Sequence, residues 1–418
     1  MNGGFLAQHR AEINIWSANV EVDAVLSSYS EGLNAVAVLS SDGIPFVQFA
    51  LDKHPRKVEG PGAGATISLD APSAYWSKLL RGNPDIGAHA YGASLSTNAG
   101  LKVQGPANLL SAARASLERL FELASNRVPS KENAWPGNPA DIVGKFADVT
   151  ASDGERARIF YEVAGDPAAK QSPIVFLHTA GADSRQFHFQ LLNRDITSSR
   201  QVFAFDLPRH GRSLPLFQKS PFIRSKLTGE QYVGWCVAFI EQVVRRPVVL
   251  VGCSMGSMAA LMVGAQRPDI VSAVIAVEAP DRSPERRSSE LSNPAIDQMR
   301  FVPTYVRGLM SPQSPEEHRD LATWTYSQGG FGTYEADVNF YSSDFDGKKL
   351  VQSYEKSHLP IRLLTGSYDY SASPASSRRL AEILPNSTFT EMKELGHFPM
   401  TENPACFDRY LLDALKGL

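Results

Sequence analysis

Pro247-Val248-Val249-Leu250-Val251-Gly252-Cys253-Ser254-Met255-Gly256-Ser257-Met258-Ala259-Ala260-Leu261-Met262-Val263 is the stretch that decides the fold. Its first residues are apolar and largely β-branched, as in a strand covered on both faces. Its last seven are small or straight-chain and suit a helix. Between them stands G-x-S-x-G, which carries meaning only in this context of strand, sharp turn and helix. Side chains two residues before and after the serine would collide with the turn. Glycine at 252 and 256 removes the collision and leaves Ser254 Oγ above the strand end.

Working outward, 418 residues suggest two domains. Hydrophobic residues at 43% and charged residues at 20% are ordinary for a globular protein, and a net charge of −3 excludes a polyanion-binding reading, so no nucleic acid partner is expected. No apolar run is long enough to span a membrane, and residues 1–10 show no basic segment followed by an apolar one; the expected location is cytoplasmic. Three cysteines, Cys236, Cys253 and Cys406, are too scattered for a disulfide framework or a zinc site, so no metal is expected.

A connector rich in proline, 127–144, divides the chain. Ahead of it, 1–126 reads as an α+β domain with strands first and helices last. Strands are expected at 34–40, 46–51 and 65–69, with two more flanking Asn98-Ala99-Gly100 and helices at 73–80 and 107–125. The pattern at 64–85 and 100–110 resembles the sterol-carrier-protein-2-like fold, whose members often enclose an apolar tunnel. That likeness implies either a substrate-binding role or a packing and dimerisation role, which would give a homo-oligomer through this domain.

After the connector, 145–418 begins with a hairpin at 146–150 and 156–163. Strands at 174–177, 202–205, 248–251, 271–277, 361–364 and 388–392 then alternate with helices. The expected class is α/β, a doubly wound, mostly parallel sheet. Chemistry in such sheets gathers at the carboxyl ends of strands. There the chain places Ser254, then Gly366-Ser367-Tyr368-Asp369 with Pro374 following, then Gly396-His397-Phe398-Pro399. Each residue type suits one role. A serine hydroxyl is a poor nucleophile until a histidine takes its proton, and an acid must hold the imidazole in the right tautomer. An aspartate in such a turn is often only an Asx-turn former, and a lone histidine is usually structural; all three together past strand ends are hard to ascribe to chance.

Serine, acid and histidine in that order resemble the α/β-hydrolase superfamily across 145–418. Asp206-Leu207-Pro208-Arg209-His210-Gly211-Arg212-Ser213 is similar to its D-x-P-G-H-G-x-S segment, with Arg209 in place of a glycine. The resemblance implies Ser254 as nucleophile, His397 as base and Asp369 as acid. Glu278, at the end of strand 271–277, remains an alternative acid, because some members take theirs from that position. Met255, at the helix start, is expected to supply one oxyanion-hole N–H. The resemblance points to Ala180 for the other, although Thr179 stands where His-Gly is usual. His178 is expected to brace this loop, and His210 to be structural or exposed.

About eighty residues separate the strands 271–277 and 361–364, and the superfamily carries a cap there, expected over 279–358. Its aromatic residues Trp324, Tyr326, Phe331, Tyr334, Phe340, Tyr341 and Phe345 suggest either a lid over an apolar substrate or the cap's own core. Thr179, Arg185, Trp324, Tyr326 and Phe398 are candidate pocket residues. The expected activity is hydrolysis of a carboxylic ester or lactone of an apolar, aromatic or cyclic small molecule, without cofactor. Cleavage of a carbon–carbon bond in a dienone or β-diketone is the alternative. A slow-turnover receptor or lipid carrier is the alternative from another class.

Overall fold

The computed structural model describes residues 3–60, 64–125, 134–217, 219–220, 222–223, 226–283, 290, 293, 296–330 and 332–418. Residues 127–133 of the expected connector and Phe331 lie outside these. Two units emerge: 1–130 together with 293–313, and 131–292 together with 314–418.

In the first unit, β1 (Ala35–Ser41) and β2 (Ile44–Leu51) form an antiparallel hairpin. The turn at Asp42 and Gly43 takes positive φ at both residues, matching the twist of the strands. With β3 (Arg56–Lys57), β4 (Ala65–Ala71) and β5 (Lys102–Gln104) the sheet runs β3-β2-β1-β4-β5. Helices Arg10–Val22 and Ala107–Ala124 bury Trp16, Leu117 and Phe121 in one core with Leu39, Phe49 and Leu69 of the sheet. Two expectations fail here. Helices Gly3–Gln8, Arg10–Val22 and Ala24–Ser30 precede the first strand, so strands do not come first. Of the strands expected beside Asn98-Ala99-Gly100, only β5 exists; the residues before form the helix Tyr91–Ser96. The buried stripe Ile13, Trp16, Val20 has helical spacing, but polar neighbours dilute it.

Helix Gln298–Arg307, which falls inside the expected cap range 279–358, belongs to this first unit. It packs along helix Ala107–Ala124 by burying Phe301, Val302 and Val306, while Arg307 Nε donates to Glu122 Oε1 at 2.7 Å. The Arg114 guanidinium lies 5.4 Å from the Phe301 ring and 5.3 Å from that of Tyr305.

The second unit contains β6 (Val143–Thr150), β7 (Arg156–Ala164), β8 (Ile174–Leu177), β9 (Val202–Phe205), β10 (Val248–Cys253), β11 (Val271–Val277), β12 (Ile361–Gly366) and β13 (Ser387–Met392). Their order is β13-β12-β11-β10-β8-β9-β7-β6. β6 and β7 pair antiparallel, as do β7 and β9, and the other neighbours are parallel. This is the doubly wound sheet with an antiparallel start that the hydrophobic runs imply. The connector does not stay free of it: Trp135 stacks on Phe189 at 4.2 Å, and β6 starts at Val143. Strand order reverses at β8, which has β9 on one side and β10 on the other, so a crevice opens at the carboxyl ends of β8 and β10. No helix among the described residues is long and apolar enough to cross a membrane.

At that crevice, helix Met255–Gln266 lies directly against the end of β8. A Cβ on Gly256 would overlap the Leu177 carbonyl oxygen and sit 2.8 Å from that of His178; one on Gly252 would overlap the Gly256 carbonyl. The obstacles are backbone and cannot rotate away. Gly256→Ala is therefore expected to destabilise this unit by roughly 1–3 kcal/mol, seen as a lower melting temperature; an unchanged melt would show that the helix can back away from β8.

Candidate active site

Ser254 sits between β10 and helix Met255–Gln266 with φ 53° and ψ −117°, a conformation costly for a residue with a side chain. It is over-determined from both sides. Its N–H donates to Val277 O of β11 at 2.8 Å, and its carbonyl accepts from Ser257 N–H at 2.9 Å and Ser257 Oγ at 2.6 Å.

The acid and the base meet as the chain order implies. His397 Nδ1 lies 2.6 Å from Asp369 Oδ2, and Asp369 Oδ1 accepts the N–H groups of Ser371 at 2.7 Å and Ala372 at 3.0 Å. An aspartate in the loop after β12 thus acts as Asx-turn former and histidine partner at once. Nδ1 must carry the proton in this pair, so Nε2 is left as an acceptor.

Glu278 is fully buried directly after β11, with φ 53°. Its carboxyl accepts the Gly366 N–H at 2.9 Å and faces Asp369. Burial, then the Asp369 charge and the hydrogen bond between the two groups, hold its pKa well above the carboxylate range. A proton kept on Glu278 would relieve the repulsion between the two carboxyls and let it donate to Asp369. Side-chain atoms of Glu278, Asp369 and His397 lie within 4.8 Å of one another, close enough to share a cation. Glu402, also fully buried, accepts the Gly396 N–H immediately before His397. Its contribution had no sequence signal, because the contact is made by the first turn of a later helix.

The loop after β8 is pinned at almost every amide. Thr179 N–H donates to Gln186 Oε1 at 3.0 Å, Gly181 N–H to Asp337 Oδ2 at 2.7 Å and Ala182 N–H to Thr179 O at 3.3 Å. Among the described residues, no partner accepts from Ala180 N–H. His178 braces the loop, with Nδ1–H donating to Thr179 O at 2.8 Å and Nε2 accepting Leu207 N–H at 3.2 Å. Burial, helped by neighbouring His210, pushes its pKa down to about 4, so it stays neutral.

Of the candidate pocket residues, three converge. The Thr179 and Tyr326 hydroxyls are in contact, the Tyr326 ring meets Phe398 at 5.4 Å, and Phe398 meets the His397 ring edge-on at 4.9 Å. Arg185 and Trp324 are engaged elsewhere. The guanidinium is held by Asp183 through bonds of 2.8 and 2.6 Å and lies 5.1 Å from the half-exposed Trp324 ring. Phe340, Tyr341 and Phe345 are buried in the core of the unit, and Tyr334 packs on Gly181.

His210, expected to be structural or exposed, is buried with both ring nitrogens facing acceptors: Pro208 O at 3.2 Å and Asp337 Oδ2 at 2.8 Å. Burial lowers its pKa, but the Asp337 carboxylate outweighs burial and the net shift is upward. Asp337 escaped sequence reading because nothing around it in the chain marks it. The preceding residue, Arg209, takes φ 73°, which accounts for the glycine usual at that position in the similar segment.

Comparison with known proteins bears on the family and the fold. The Alpha/beta hydrolase family matches residues 174–406. A Mycoplasma pneumoniae protein with the provisional name esterase/lipase 2 is 26% identical over 269 residues, covering 60% of this chain and 92% of its own. Among solved structures, an enol-lactonase from Burkholderia xenovorans LB400 superposes with TM-score 0.55 at 18% identity, over 65% of this chain and 99% of its own. A thermophilic esterase from Thermogutta terrifontis gives 0.52 at 18% identity, over 65% and 98%. At these identities the structural likeness speaks to the fold.

The raised Glu278 pKa has a sign that can be measured. Below the ordinary carboxylate pKa, folded and unfolded chains both hold the proton. As pH rises above it only the unfolded chain ionises, so native stability falls by about 1.4 kcal/mol per pH unit until the folded pKa is reached. Glu278→Gln removes this loss. Its melting temperature is expected to gain on wild type between pH 5 and pH 8, whereas a constant difference would mean that Glu278 is ionised in the native protein.

Proposed function

The chain belongs to the alpha/beta hydrolase family, and we propose that it cleaves a carboxylic ester or lactone of an apolar small molecule through an acyl-enzyme on Ser254. The observation that carries this reading is the His397–Asp369 pair, fixed at 2.6 Å with Nδ1 committed to the acid. His397 Nε2 takes the Ser254 proton as Oγ attacks the carbonyl carbon. The tetrahedral oxyanion is held by the N–H groups of Met255, at a helix start, and of Ala180, which has no acceptor among the described residues. His397 then returns the proton to the leaving alkoxide, which in a lactone stays tethered to the acyl group. Water repeats the sequence in reverse and releases the acid.

Asp369 is the triad acid in this reading, and neutral Glu278 is a positioning residue behind it. Tyr326 and Phe398 beside His397 favour an apolar acyl or alcohol part. The lactone half of the proposal draws on the enol-lactonase likeness.

A fluorophosphonate followed by intact-mass measurement tests the nucleophile: one adduct is expected on wild type and none on Ser254→Ala. With a panel of esters, lactones and dienones, Asp369→Asn should lower kcat about 10⁴-fold. Glu278→Gln should lower it by less than about tenfold, since it keeps a donor toward Asp369. The reverse ranking would make Glu278 the acid, and turnover of the dienones alone would move the reaction to carbon–carbon cleavage.

A further inference from the structure

A cavity of about 310 Å³ opens within the second unit, between the loop following β9, helix Gly229–Phe239 and helix Thr333–Ser343. None of Ser254, Asp369 and His397 lines it. The volume suits a small ligand, and the walls at Leu207, Leu216, Leu227 and Trp235 are apolar. Among the polar residues of the wall, Arg209 donates to Ile223 O and Lys219 pairs with Glu155; two others differ in depth. Asp337 is 1% exposed, and its Oδ1 accepts no hydrogen bond from any described residue, although Oδ2 is committed to Gly181 N–H and His210. Lys226 also lines the cavity, but it is exposed to solvent.

A buried carboxylate oxygen without a donor is costly, and a ligand O–H or N–H would satisfy it. His210 Nε2 and the Gly181 N–H already face the other oxygen of this carboxylate, so what Oδ1 lacks is one further donor, which a hydroxyl supplies. The ligand that fits therefore has a hydroxyl at its buried end, an apolar body, and an anionic group toward Lys226 at the open end.

We propose that this cavity is a binding site for an apolar hydroxycarboxylate, the product class formed when a lactone is opened. Water adds across the ring ester: the acyl C–O bond breaks, the carbonyl carbon gains the water oxygen as carboxylate, and the ring oxygen leaves as hydroxyl with one proton released to solvent. Identifying the ligand as product rests on the lactone reading of the Ser254 site, whereas the cavity's chemistry does not. Asp337 Oδ2 holds the Gly181 N–H next to Ala180, so an occupant of the cavity acts directly on the loop that supplies the oxyanion donor. Product bound here inhibits turnover without competing for Ser254.

The test is calorimetric titration of full-length Ser254→Ala, which turns nothing over, with 10-hydroxydecanoate, decanoate and 1-decanol. The hydroxy acid is expected to bind best, with loss of either polar end weakening it roughly tenfold. Lys226→Glu, at an exposed position that folding does not need, should weaken both carboxylates and leave decanol unchanged. Asp337→Asn should erase the preference for the hydroxy acid over decanoate. Equal affinity for all three probes, or carboxylate binding indifferent to Lys226→Glu, would overturn the site. If the titrations behave as expected but wild type opens no lactone, the site stands and the product assignment falls. Lactone turnover with a flat titration would overturn the site and leave the lactone chemistry at Ser254 standing.

Discussion

The contact on which the hydrolase unit depends is the one between the Gly256 backbone and the carbonyls at the end of β8. Because no side chain fits there, helix Met255–Gln266 starts directly beside the loop 178–183. That closeness brings the helix start up against the carbonyls of Leu177 and His178, where the loop begins. It also forces the serine backbone into positive φ, which β11 stabilises by accepting the Ser254 N–H. One steric condition thus places the hydroxyl, a donor and the strain together.

Around this turn, buried acids do the bracing. Glu278 holds the amide at the start of the acid loop, Glu402 the amide before His397, and Asp337 the amide beside Ala180. Each accepts from a glycine N–H, where no side chain blocks the approach. Desolvation would make three carboxylates in one site prohibitive if all were charged and unpaired. Two of the three are relieved in different ways: burial beside Asp369 holds Glu278 well above the carboxylate range, and Asp337 stands against His210. Removing such an acid costs position as well as charge, since the freed amide lies in a loop that carries a functional group.

Much of this was legible in the chain. The central strands β8 to β12 follow from their apolar runs, because a strand buried on both faces must be almost continuously apolar. Ser254 and Asp369 were legible because each follows such a strand within a few residues, and His397 because it follows the alternating edge strand β13. The first unit was less so: helix Arg10–Val22 interrupts its apolar stripe with Glu12, Asn14 and Asn19, and only packing against Ala107–Ala124 picks out the buried face. Helix Gln298–Arg307 was assigned to the cap by its place in the chain, yet it joins the first unit through Phe301, Val306 and the Arg307–Glu122 pair.

By itself the sequence determined the sheet, the nucleophile turn and the order of serine, acid and histidine, since these depend on periodicity and on residues adjacent in the chain. Only the tertiary structure put Asp369 rather than Glu278 in hydrogen-bond contact with His397 Nδ1, while Glu278 is turned to the Gly366 N–H. It alone brought Asp337 to Gly181 and His210, 156 and 127 residues away. Protonation and long-range contact depend on what surrounds a group in space, and a linear pattern carries no record of that.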